Sequence, residues 1–178
     1  MLSKKWNART LIVAGTTVLG LGATSVILAA TQTANLPVTA SVAANCAIST
    51  AAVAFGAYDP AVVNASAALD GQGSVSVTCT SGASTTVTLG QGGNADTGST
   101  AAVPLRRMSD GGGTPHYLSY FLYSENTRTT VWGDTGPTGL AHTGTGTLTA
   151  LTVYGRVTAG QNVPTGSYSD TVVATVTF

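Results

Sequence analysis

Hydrophobic and polar positions alternate along much of the chain after residue 30. In the stretch ANLPVTASVAANC, the even positions Ala34, Leu36, Val38, Ala40, Val42 and Ala44 are all apolar, and the odd ones are mostly polar. A period of two marks a strand that hides one face. The same pattern recurs downstream. GSVSVTCT puts Val75, Val77 and Cys79 on one face, TTVTLG does so with Val87 and Leu89, and YLSYFLY alternates Leu118, Tyr120 and Leu122 with Tyr117, Ser119, Phe121 and Tyr123. LTVYGRV aligns Leu151, Val153 and Val157, and SYSDTVVATVTF aligns Tyr168, Val172, Ala174, Val176 and Phe178. Between them lie GQGGNADTGST, SDGGGTP, GDTGPTG and TAGQNVPTG, rich in the residues that start and close turns. No amphipathic helix interrupts the series. The pattern therefore predicts an all-β, antiparallel β-sandwich.

The first thirty residues follow a different rule. MLSKKWNAR carries Lys4, Lys5 and Arg9, and the apolar run TLIVAGTTVLGLGATSVILAA follows before the chain turns polar at TQT. This is the order of a secretory signal peptide over residues 1–30, with small residues Ala29 and Ala30 at the cleavage side. The run approaches the roughly 20 residues that span a bilayer, so an uncleaved anchor is the alternative. Setting residues 1–30 aside leaves 148 of 178 residues, the size of one domain. That remainder has no lysine and four arginines against seven acidic residues, a balance of −3. It lacks the basic footprint that nucleic-acid binding requires. Cys46 and Cys79, 33 residues apart, would mature in an oxidising compartment. Pairing is the natural reading, with two buried free thiols as the alternative.

Catalytic and metal chemistry find few parts here. The two histidines, His116 and His142, sit in Gly-rich surroundings and are expected in solvated loops. Glu125 is the sole glutamate, and the aspartates are scattered through turn sequences. No G-x-S-x-G elbow occurs. GQGGNA at Gly90 has the outline of a dinucleotide fingerprint but no helical pattern after it. No catalytic residue, cofactor or metal ligand is assigned, and an enzyme is not expected. Asn64 opens a glycosylation triplet, NAS, and Trp132 is read as packing under a loop, with stacking on a sugar as the alternative.

Several separated motifs carry a family resemblance. ANC at Cys46, FGAYDP at Phe55, SVSVTCT around Cys79, YFLYSENTRTTVWGD from Tyr120, and LTVYGRVTAGQNVPTGSYSDTVVATVTF to Phe178 together resemble the spore coat protein U domain family. That family includes subunits of archaic, Csu-type chaperone-usher pili. The resemblance implies an incomplete immunoglobulin-like sandwich over residues 46–178, completed by a donor strand. The donor would be residues 31–45 of another copy or a related subunit, with Leu36, Val38, Ala40 and Val42 filling the groove. The C-terminal strand, with Val172, Ala174, Val176 and Phe178, would be the edge on which a periplasmic chaperone pairs. Cys46 and Cys79 match the family's intrasubunit disulfide. The implied partners are other subunits, that chaperone and an outer-membrane usher, with export through the periplasm to the cell surface.

The residues agree with this picture in their own terms. Burying a Leu or Val contributes about 1.5–3 kcal/mol, and an added strand pairs with otherwise open backbone groups. Both ends of the chain are unusual for a self-sufficient sandwich: an alternating segment precedes the first cysteine, and the last strand reaches Phe178 without a polar tail. Pro37 cannot donate to a ladder. Either the paired part of the donor begins at Val38, or Leu36 fills an outer pocket where the ladder has ended. The expected function is a secreted subunit of a surface pilus supporting adhesion and biofilm formation. The competing readings are a secreted spore-coat or matrix protein and a carbohydrate-binding adhesin module using Trp132 and the tyrosines.

Overall fold

The computed structural model describes residues 29–178. The signal-peptide assignment falls almost wholly on residues 1–28, outside the described part. The chain divides into two units, residues 1–40 and residues 41–178. Residues 29–45 carry no helix or strand, so the alternating stretch Ala34–Ala44 is not a strand in the single chain. Alternation supplies a face to hide, but a strand also needs a ladder partner.

Residues 41–178 form eight strands and one short 3-10 turn, Gly136–Thr138. The strands are β1 (Cys46–Ala54), β2 (Leu69–Cys79), β3 (Ser84–Leu89), β4 (Arg106–Ser109), β5 (Tyr117–Tyr123), β6 (Leu140–Thr143), β7 (Leu148–Val157) and β8 (Ala174–Thr177). They build a five-stranded sheet in the order β1-β2-β7-β5-β4 and a three-stranded sheet in the order β6-β3-β8. All the pairings are antiparallel. The expected all-β sandwich is the observed fold. Its core is the set the alternation singled out: Val75, Val77, Cys79, Val87, Leu89, Leu118, Tyr120, Leu122, Val153 and Val157, joined by Trp132.

Cys46 and Cys79 face each other across the β1–β2 ladder and form a disulfide. Trp132 is fully buried and donates its indole N–H to the Val87 carbonyl at 2.8 Å, so it packs under its loop and offers no stacking surface. Asn64 is also buried. Its Oδ1 accepts from the Asp59 N–H at 2.8 Å and its Nδ2 donates to the Ala67 carbonyl at 2.9 Å, which closes a turn and leaves the triplet without an accessible amide.

His116 fits its expected place: its Nδ1 lies 2.8 Å from Asp110 Oδ2 on the surface. His142 does not. It sits on β6, with a buried Nε2 that has no hydrogen-bond partner. Here the strand pairing of Thr85 with His142 overrides the Gly-rich context.

The longest expected strand is also divided. In SYSDTVVATVTF only Ala174–Thr177 pairs as a strand, on β3, while Ser169 bridges to Ser109 of the other sheet. Between them Asp170 accepts hydrogen bonds from the Tyr120 hydroxyl at 2.7 Å, the Gly93 N–H at 2.9 Å and Asn94 Nδ2 at 3.2 Å. The chain thus crosses from one sheet to the other at a polar knot.

Candidate functional site

The sheet order itself shows where the sandwich is open. A seven-stranded immunoglobulin frame places ABED in one sheet and CFG in the other. Here β1-β2-β7-β5 supplies ABED, β3 and β8 supply C and F, and the position of G beside β8 is vacant. Among the described residues β8 pairs only with β3, and β1 only with β2, so each presents an open edge.

A cleft of about 600 Å³ lies between these edges. Ala51–Val53 of β1 form one lip and Tyr168–Val172 with Ala174 form the other, over a floor that includes Val75, Leu89, Leu122 and Val153. A second cleft of about 610 Å³ shares Val53, Phe55, Met108 and Tyr168 with it and extends toward Leu118, Val157 and Val163. Together they make one long trough whose lining is more apolar than polar.

The residues around the trough show its incompleteness individually. Ile48 lies directly opposite the fully buried Val77 and so shares the core face, yet it is 38% exposed. Val172, Ala174 and Val176 pack only partly buried against the core, and Val173 between them points to solvent. Phe178, expected to continue that face, is 54% exposed beyond the end of β8.

The floor is fitted closely. At Gly155 an added Cβ would sit 2.6 Å from Phe55 Cζ, so the missing side chain is what lets Phe55 lie across β7. Phe55 in turn meets Tyr120 edge-on at 6.0 Å. Where β1 shifts register between Ala51 and Ala54, an added Cβ on Gly73 would come within 2.7 Å of the Ala51 carbonyl. At both glycines the absent side chain leaves room for β1 and the Phe55 that follows it.

Arg106, on β4, is buried beneath this region. Its Nε donates to the Gly90 carbonyl at 2.8 Å, and its Nη2 donates to the carbonyls of Leu89 at 2.7 Å and Trp132 at 2.8 Å. Burial pulls its pKa down to about 10, so the group is still a cation at neutral pH. Burial also pushes the Tyr120 hydroxyl up, assisted by Asp170, which keeps it a neutral donor to that carboxylate. These polar groups hold β4, β5, the end of β3 and the Ser169–Thr171 segment in fixed relation. They give the trough one wall that does not depend on an occupant.

The residues assigned to the donor role belong to another part of the chain. Leu36, Val38 and Val42 are 85%, 87% and 85% exposed, and Ala40 is exposed as well. Among the described residues no group of three or more His, Cys, Asp or Glu side chains could hold a metal ion.

The outer face of the five-stranded sheet is polar and aromatic. Phe121, Arg156 and Asp70 lie in one cross-strand row, and Tyr123, Tyr154 and Gln72 in the next. Arg156 forks onto Asp70 at 2.7 and 2.9 Å, and Arg128 stands over the Tyr154 ring. The hydrogen bond from Arg156 holds the Asp70 carboxyl below its usual range. Nearby, burial would raise the Glu125 carboxyl, but hydrogen bonds from Thr129, Thr130 and Ser124 outweigh it and bring its pKa down to about 2. A carboxylate depressed in the folded state contributes stability above its unfolded pKa and loses it as pH falls toward the folded one. The melting temperature is therefore expected to drop as pH falls from about 4.5 toward 2. Glu125→Gln should flatten part of that slope; an unchanged acid profile in this variant would contradict the assignment.

Comparison with known proteins places this architecture. A solved chain in the CsuC–CsuE chaperone–tip adhesion subunit pre-assembly complex, from archaic chaperone-usher Csu pili of Acinetobacter baumannii, aligns with a TM-score of 0.54 at 22% identity. The alignment covers 77% of this chain and 40% of that one, and shows a shared immunoglobulin-like fold. Protein U of Myxococcus xanthus is 51% identical over 176 residues, covering 96% of this chain and 98% of that protein. The family model of the Spore Coat Protein U domain matches residues 32–175, from within the exposed N-terminal segment to within β8. The chain belongs to the Spore Coat Protein U domain family.

Proposed function

We propose that this protein is a secreted, non-enzymatic structural subunit that assembles by donor-strand exchange into a thin surface pilus. The single observation that carries the reading is the vacant G position beside β8, with an apolar trough under it. An alternating segment with Leu36, Val38, Ala40 and Val42 on one face is the complement such a trough requires. Donor and acceptor are different surfaces, so the contact is heterologous, and a heterologous contact that does not close on itself builds a filament. Residues 31–45 act as donor and residues 46–178 as acceptor.

Before exchange, the open edge needs cover, because an unpaired strand beside an apolar trough invites aggregation. A periplasmic chaperone pairing along Val172, Ala174 and Val176 would supply it, with an outer-membrane usher receiving the complex. The chaperone–subunit composition of the Csu complex supports this assignment by likeness of fold. Phe178 lies past the paired strand and contributes at its end. Adhesion and biofilm formation are the downstream uses of such a fibre.

The test is a chain lacking residues 31–44, offered a synthetic peptide of residues 34–44. Saturation at about 100 times Kd stabilises a folded acceptor by about 2.7 kcal/mol, which raises the melting temperature by roughly 10 °C for a domain of this size. A truncated chain that is stable and monomeric alone and shows no shift with peptide would sink the proposal.

The family's name supports a second reading, a secreted coat or matrix protein that assembles into a protective layer. Filaments on the producing cell by electron microscopy support the pilus; recovery in purified spore coats without filaments supports the coat. The glycan-binding alternative loses Trp132 to the core and keeps half-buried tyrosines such as Tyr123 and Tyr154.

A further inference from the structure

Resting on the exchange reading, we infer that the start of the domain is built to keep the chain's own N-terminal segment out of its own trough, so that the occupant is a second copy. Three observations combine. The first is direction. Cys46 lies opposite Cys79, the turn Thr80–Ala83 leads into β3, and Thr86 near the start of β3 lies opposite Thr177. The start of β1 and the end of β8 are therefore at the same end of the sandwich. To fill the trough in its own domain, the segment before β1 must reverse at once and run back alongside.

The second observation is that no slack exists for that reversal. The Asn45 carbonyl accepts from the Thr80 N–H at 2.9 Å, and the Asn45 N–H donates to Thr80 Oγ1 at 3.1 Å. Cys46 is bonded to Cys79, and the Ala43 carbonyl lies 3.4 Å from Thr80 Oγ1. The ladder with β2 is thus extended through Asn45, and a turn can begin only before it.

The third is parity. Residues directly opposite in an antiparallel pair share a face, and on β1 the core face is the even-numbered one: Cys46, Ile48 and Thr50 lie opposite Cys79, Val77 and Val75. The favoured hairpin has a two-residue loop, which would pair Val42 with Asn45. Leu36, Val38 and Ala40 would then lie opposite Ala51, Ser49 and Ala47, on the outside of the sheet. A three-residue loop corrects the parity, but it spends Val42, Ala43 and Ala44 on a turn that calls for Gly or Asn. Crossing to β8 instead spans a gap that narrows to within 8 Å between β1 and β8 Cα atoms, which at about 3.3 Å per residue consumes two or three of Val42, Ala43 and Ala44 and leaves no residue for the reversal. A donor from a second copy meets none of these constraints.

The experiment compares three chains beginning at residue 31, each refolded with its disulfide intact: wild type, Ala43→Asn/Ala44→Gly, and Ala44→Asn with one glycine inserted before Asn45. The second variant has an ideal two-residue turn with the wrong parity. The insertion gives the same Asn-Gly turn but brings Val42, Ala40 and Val38 opposite Cys46, Ile48 and Thr50. Wild type and the substitution variant are expected to form multimers and to take up the 34–44 peptide. The insertion variant should be a monomer that takes up at least tenfold less peptide. The inference is overturned if the insertion variant multimerises like wild type. It is also overturned if wild type is a monomer closed to the peptide while the chain lacking residues 31–44 binds it, an outcome that leaves the exchange reading standing. Failure of the truncated chain to bind peptide would instead remove the exchange reading and this inference with it.

Discussion

Replacing Arg106 with alanine is expected to lower the domain's stability by about 3–5 kcal/mol, because it takes the donor from several buried carbonyls at once. Its guanidinium is the common donor to the carbonyls of Leu89, Gly90 and Trp132. Two of those carbonyls close β3 and the third begins the loop under which Trp132 packs. An orphaned buried carbonyl costs about 1–3 kcal/mol, and three would be orphaned together, with water entry recovering part of the loss. The melting temperature should fall on the order of 10–20 °C. Arg106→Lys keeps the charge but not the fork that reaches several carbonyls at once, so it should recover less than half. If Arg106→Ala melts within a few degrees of wild type, the clasp does not carry the load assigned to it.

Removing the disulfide is the second large change. The double variant Cys46→Ala/Cys79→Ala is expected to lose roughly 3–4 kcal/mol, the chain-entropy value for a 33-residue loop. For a domain whose net stability is of the order of 5–15 kcal/mol, that is a large fraction, measurable as a shift in urea midpoint. The same variant removes the covalent tie at residue 46, leaving the β1–β2 ladder and the hydrogen bonds of Thr80 with Asn45 and Ala43 to restrain the N-terminal segment. The monomer fraction should rise along with the loss of stability. A disulfide-free chain with unchanged midpoint would mean that the β1–β2 ladder alone holds the site.

The alternation located β2, β3, β5 and β7 because each lies in the middle of the sandwich with one face on the core. Those strands must repeat every second residue, and the core list follows from them directly. β1, β4 and β6 escaped the same reading for separate reasons. In β1 the register shifts between Ala51 and Ala54 and most residues on both faces are exposed, so no buried face repeats along it. β4 has four residues and turns an arginine inward, against the expectation that charges face water. β6 is short, and its histidine gains a strand position only through pairing with Thr85.

The site divides in the same way. The alternating face of Leu36, Val38, Ala40 and Val42, proposed above as the donor, is a local pattern that the sequence displays directly. The split of the C-terminal stretch was not, since Tyr168 and Val172 keep the alternation on both sides of Asp170. What breaks the strand is Asp170's set of bonds to Tyr120, Gly93 and Asn94, residues far away in the chain. No local window contains that information.

By itself, then, the sequence determined the all-β class, the central core strands and the two cysteines available to pair, because period-two burial and residue type are local properties. Only the tertiary structure decided that the G position beside β8 is vacant, that Trp132 belongs to the core, and that the chain leaves the domain pinned at Asn45. Those features depend on which strands lie side by side, and side-by-side placement is a long-range property of the folded chain.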